Sequence, residues 1–189
     1  METPRERFIR LLRSTEREGI VNLIEWLDGP TTDWFTAPAS SNYHGAYPGG
    51  LVDHCLAVYD EMERLAAAYA DTVTTSPHSR IIIALLHDLC KVNTYKPVVK
   101  SRKNDQGYWE KYDGYEHAEQ YKFGGHGSKS VFLASRFIQL TDAEAAAINC
   151  HMATWEEGRN RIISDVYNVY PEAWMIHAAD EAATFIQKK

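Results

Sequence analysis

Ile81-Ile82-Ile83-Ala84-Leu85-Leu86-His87-Asp88-Leu89-Cys90-Lys91 is the stretch on which the reading of this chain turns. Six apolar residues in succession are too many for a surface helix, so the segment belongs at the centre of the molecule. It then stops in an adjacent imidazole and carboxylate. Neighbouring residues lie ~100° apart around a helix, so both reach one point only if that point sits off the helix end. A carboxylate there can bridge two metals. Upstream, Ser76-Pro77 supplies an N-cap and a first residue for the same helix.

Three further helices bring chemistry towards that point. Gly49-Gly50 opens a helix whose Leu51, His54, Cys55, Val58, Met62 and Leu65 recur at steps of three and four, which turns His54 inward. Thr141-Asp142-Ala143-Glu144 is a capping box, and the helix it starts runs into His151. A last helix begins near Pro171 and carries Trp174, Ile176, Ala179, Asp180 and Ala183 inward. A lone histidine on an apolar face is more often a hydrogen-bonded core residue than a ligand, and His54 and His151 are each open to that reading. Asp180, flanked by Ile176, Ala179, Ala182 and Ala183, is harder to explain without a cation. Imidazoles combined with carboxylates suit a divalent transition metal such as Fe, Mn, Zn or Ni better than Mg or Ca.

The remaining segments frame this core. Residues 5–28 read as two short helices broken near Glu18-Gly19, and residues 31–48 as an irregular loop. Residues 92–125 lose helical periodicity and gain glycines, so a β-hairpin or flap is expected at about 95–122. Its Tyr95, Tyr108, Trp109, Tyr112 and Tyr115 alternate with Lys96, Lys100, Arg102, Lys103 and Lys111, either to stack a base beside phosphates or simply to pack across strands. Helix resumes from Ser128 to Leu140, preceded by Gly124-Gly125-His126-Gly127, where a helix start favours an anion near Lys129. The class expected is all-α apart from the flap, in one domain over 1–189, with N-terminal helices in 1–33 and the core in 34–186.

Composition narrows the function classes. A net charge of -6 argues against general nucleic-acid binding, yet Lys91 to Lys129 alone carries a local +3, which suits an anion met at one place. Three widely spaced cysteines fit neither a disulfide framework nor a Cys-x-x-Cys zinc site, so Cys55, Cys90 and Cys150 are expected reduced and buried. The first residues lack the apolar run of a secretory signal, and no window is apolar enough for a membrane span, so a cytoplasmic location is expected.

The order His54, His87-Asp88, Asp180 resembles the signature of the HD-domain superfamily of metal-dependent phosphohydrolases, over roughly residues 34–186. Residues 38–51, with His44-Gly45-Ala46-Tyr47-Pro48-Gly49-Gly50 at their centre, resemble the segment before the first histidine in the HD domain of bacterial 3′-to-5′ exoribonucleases. The resemblance implies an HD-type helical bundle with His54, His87, Asp88 and Asp180 as metal ligands. Asp88 and Lys91 would then be catalytic, and Lys91, in His-Asp-x-x-Lys form, would also meet substrate phosphate, helped by His44 and Lys129. Members with two metals add histidines between the pair and the final Asp, positions matched by His126 and His151. His177, one turn before Asp180, would orient a ligand. The reaction implied is hydrolysis of a phosphoester in a nucleotide, another phosphate-containing small molecule or an oligonucleotide end, by metal-bound hydroxide. A di-iron oxygenase of the inositol-oxygenase type shares this ligand order, and a metal-holding ligand-binding module is a third reading.

Overall fold

The computed structural model describes residues 1–118, 124–153 and 160–187. Among the described residues the chain forms eight helices: α1 (Pro4–Ser14), α2 (Ile20–Leu27), α3 (Gly50–Ala68), α4 (Pro77–Leu86), α5 (His126–Ser135), α6 (Asp142–Cys150), α7 (Asn160–Val169) and α8 (Pro171–Phe185). Between α4 and α5 lie a 3₁₀ turn, Leu89–Lys91, and an antiparallel pair, β1 (Tyr95–Lys103) and β2 (Trp109–His117). The expected all-α helical bundle is therefore corrected: the molecule is mostly helical but carries a hydrogen-bonded two-stranded sheet. Strand-forming Tyr, Val and Trp with a polar turn at 104–108 favour pairing here over helix. The hairpin stops at His117, short of the expected 122, and residues 119–123 lie outside the described part.

α4 is the centre of the packing. Ile82 through Leu86 are fully inaccessible and Ile81 nearly so; burying one such side chain stabilises by about 1.5–3 kcal/mol. α3 packs against α4 and α8, and α6 lies against α8, α5 and α4. Phe8, Leu12, Leu23, Leu27 and Trp34 join the same apolar cluster as Leu51, Met62, Ile148 and Ile176, so the N-terminal helices share one core with the rest.

Local sequence explains the element starts. Ser76 caps α4, and Thr141 with Glu144 closes a reciprocal box on α6. Two glycines permit close approaches. A Cβ on Gly50 would meet the Gly45 carbonyl oxygen at 2.1 Å, so glycine lets the loop bearing His44 lie on the start of α3. A Cβ on Gly127 would meet the Asn149 carbonyl oxygen at 2.3 Å, where α5 lies on α6. α5 ends at Ser135, not at Leu140, and α7 was not expected at all, although Ile163, Val166 and Tyr167 have helical spacing and pack inward. Trp174 faces outward, edge-on to Tyr69 at the end of α3, rather than inward.

Candidate metal centre

Asp88 stands just past the C-terminal end of α4, where the helix tightens into the 3₁₀ turn, and its two oxygens face different neighbours. Oδ2 lies 3.4 Å from His87 Nε2, 3.6 Å from His54 Nε2 and 2.6 Å from Lys91 Nζ. Oδ1 faces His151 Nε2 at 3.8 Å. His54 Nε2 in turn lies 3.2 Å from Asp180 Oδ1. Two groups of three donors result, each with its ligand atoms within 4.8 Å of one another: His54, His87 and Asp180, and His87, Asp88 and His151. These buried imidazole and carboxylate groups could hold a metal ion.

The histidine tautomers fit such an ion. His87 Nδ1 lies 2.8 Å from the Ala84 carbonyl oxygen and His151 Nδ1 lies 2.7 Å from that of Ile148. A carbonyl only accepts, so each Nδ1 is the protonated donor, and Nε2 is the nitrogen that carries the lone pair when the ring is neutral. Both Nε2 atoms are buried without a hydrogen-bond partner. An orphaned buried acceptor costs about 1–3 kcal/mol, and two side by side, aimed at shared carboxylates, are what a cation would satisfy. A helix carries both residues to the same kind of place, since each is the C-cap of its helix, α4 or α6.

Electrostatics concentrates negative charge here. Burial alone would raise the Asp88 and Asp180 carboxyls, but Lys91 and His87 reverse this for Asp88, and His54 and His87 reverse it for Asp180. Both carboxyls lie below the ordinary range. Burial disfavours a charged His87, yet the two carboxylates outweigh it and its pKa is raised. Burial, then the neighbouring His87, brings His151 down to about 4, which leaves it neutral at pH 7. A cation is favoured at the carboxylates while His151 keeps its lone pair available.

The other expected residues divide. His44 stacks obliquely on His54, ring centroids 4.9 Å apart, and its Nε2 is buried without a partner. Lys91 is partly buried with its ammonium on Asp88, so it neutralises that carboxylate directly. His126 belongs to neither donor group; it is exposed at the start of α5 with Nδ1 3.5 Å from Cys90 Sγ. Lys129, one turn later, is half-buried and its charge is felt at Cys90. His177 donates from Nδ1 to the His151 carbonyl oxygen at 2.9 Å, holding backbone rather than a ligand ring. All three cysteines are buried and none is in a disulfide, and burial pushes the Cys90 thiol up to about 12, so it stays protonated.

The hairpin uses three of its cations internally, while Lys100 donates to the Asn42 side chain in the loop that bears His44. Arg102 pairs with Glu110 and lies over Tyr112, Lys96 pairs with Glu116, and Lys103 lies over the Trp109 ring. Tyr95 packs on His117 across the strands. Among the described residues no helix is long and apolar enough to cross a membrane. Set against family models, curated proteins and solved structures, the chain matches none of them.

Proposed function

We propose that this chain is a metal-dependent phosphohydrolase, with His54, His87, Asp88, His151 and Asp180 as ligands of a centre that takes two divalent transition ions. One observation carries the reading: the two oxygens of Asp88 face two histidine groups, each completed by an orphaned Nε2. His87 belongs to both donor groups but has one free nitrogen, since Nδ1 is committed to Ala84. It can therefore serve one ion, and Asp88 is left as the residue able to bridge. His126 matches a second-ion ligand in sequence order alone and lies outside both donor groups, so it is not among these five.

The bound metal would supply a water acidic enough to ionise near neutral pH and a positive charge for phosphate oxygens. The chain's own residues do the rest. His177 fixes the backbone at His151, and the carbonyls of Ala84 and Ile148 hold His87 and His151 in one tautomer. Lys91 adds a partly buried positive charge beside Asp88, suited to charge that builds on a phosphate in the transition state. Water adds to phosphorus, the ester P–O bond breaks, and the proton of water ends on the leaving alcohol. The order of ligands, resembling the HD-domain superfamily, supports the same reaction.

The test is phosphate release from nucleotides and short RNA by protein loaded anaerobically with Mn or Fe, run beside an oxygen electrode with inositol. Phosphate or nucleoside release without oxygen uptake is expected. Rapid oxygen uptake with a polyol and no release from any phosphoester would instead make the centre an oxygenase. Tight nucleotide binding with no turnover at all would make it a ligand-binding module.

A further inference from the structure

A cavity of about 280 Å³ runs from His44 and His54 along the outer face of α3 to the start of α1. Its position is decided by spacing: Gly50, Asp53, His54, Ala57 and Asp60 share one face of α3, and Ala183, one turn after Asp180, closes the α8 side. It therefore meets the metal centre at His54. Such a volume lies near the low end of the ~300–1,000 Å³ usual for small-molecule sites.

The walls are wrong for anions. Glu2, Asp53 and Asp60 line the cavity, with Glu2 held by Arg10 from outside it, so Asp53 is the lining carboxylate with no cation on it among the described residues, and Arg7 is the cation of the lining. Arg7 is already committed, with both terminal nitrogens on the Asp60 carboxylate. Two helices begin at the cavity, but their first amides are used as well. On α3 the N–H groups of Gly50, Leu51 and Val52 donate to carbonyls of Tyr47, Ala37 and Gly49. On α1 the Glu6 N–H donates to the Thr3 hydroxyl and the Arg7 N–H to the Thr3 carbonyl. Pro4 has no N–H, so neither helix end presents the set of adjacent free amides that an anion site requires. What remains are carboxylate oxygens and the Tyr47 hydroxyl on Asp53, able to accept hydrogen bonds, and the unpartnered Nε2 of His44.

We infer that the cavity receives the uncharged, hydroxyl- or amine-bearing part of the substrate, so that the centre acts on phosphomonoesters and rejects ligands with a second phosphate on the organic part. This rests on the phosphohydrolase reading of the centre. Charge is separated along the site: the cationic end takes the one phosphate, and the acidic cavity takes donors such as sugar hydroxyls. An oligonucleotide end or a bisphosphate would bring a further anion against Asp53, with no free cation in the lining to receive it.

Calorimetric titration of manganese-loaded protein tests it with two probes that resist hydrolysis: a nucleoside 5′-phosphonate, and the same molecule with a second phosphonate at the 3′ position. The monophosphonate is expected to bind at least about tenfold more tightly. Asp53→Lys should shrink that ratio by about fivefold, and in wild-type protein 1 M salt should shrink it too, which keeps the test decisive if the variant does not fold. Equal or tighter binding of the bisphosphonate, or a ratio unmoved by both charge reversal and salt, would overturn the inference. Phosphate release with equal binding of the two probes sinks this inference alone, whereas absence of release from monoesters and diesters alike sinks the reading of the centre.

Discussion

His87 and His151 are built alike, each at the C-cap of a helix, each donating from Nδ1 to the carbonyl three residues back, each leaving Nε2 buried and unpartnered. That geometry follows from position in the helix, since the side chain leans back over the preceding turn. The two differ in what they face: His87 meets Oδ2 of Asp88 and His151 meets Oδ1. His151→Ala is therefore expected to lower metal content by one ion per chain while leaving the His54, His87, Asp180 group able to bind, as metal analysis after dialysis would report. Loss of all metal in that variant would mean that one ion is shared by all five residues. The inward placement of His54, His87, His151 and Asp180 was legible in the sequence because each sits at a helical register or a helix end. The direction of each Asp88 oxygen was not, because it depends on a 3₁₀ turn that no residue pattern announces.

Elements set these residues in place through a few specific contacts. Glu144 on α6 is inaccessible and receives hydrogen bonds from Arg17, from the Ser79 hydroxyl of α4 and from the Thr141 N–H. Burial would raise its carboxyl, but Arg17, Thr141 and Ser79 outweigh it and hold it below its ordinary 4.5. A depressed carboxyl contributes stability that is complete above the unfolded value and is lost as pH falls through the folded one. Denaturant titrations across pH should show wild-type stability falling below about 4.5, and Glu144→Gln should flatten that limb and cost about 2–3 kcal/mol at pH 7. An unchanged acid limb would remove Glu144 as the linchpin of α4 and α6. Gly127 gives a second expectation. Alanine normally helps a helix by ~1 kcal/mol, but the 2.3 Å approach to Asn149 reverses the sign, so Gly127→Ala should lower the thermal midpoint by an overpacking cost of about 1–3 kcal/mol. The capped starts of α4 and α6 were readable because capping is local. α7 escaped notice because its apolar set is short, and the outward turn of Trp174 could not be foreseen because it depends on Tyr69 from another helix.

At the scale of the whole molecule, one apolar core built on α4 holds four helices so that a cluster of three histidines and two carboxylates closes at the end of its most buried element. The cavity beside it joins α1, α3, α8 and the His44 loop, residues far apart in sequence, and only the folded chain brings Glu2, Asp53 and Asp60 to one wall. The hairpin is peripheral by comparison, with Lys96 and Arg102 paired across its own strands. The most direct test of the metal centre is elemental analysis of purified wild-type protein and Asp88→Ala after equilibration with Mn or Fe and removal of loose metal. Two ions per chain are expected in wild type and none in the variant, with both proteins shown to be folded by circular dichroism. Full metal content in Asp88→Ala would contradict the centre proposed for this protein.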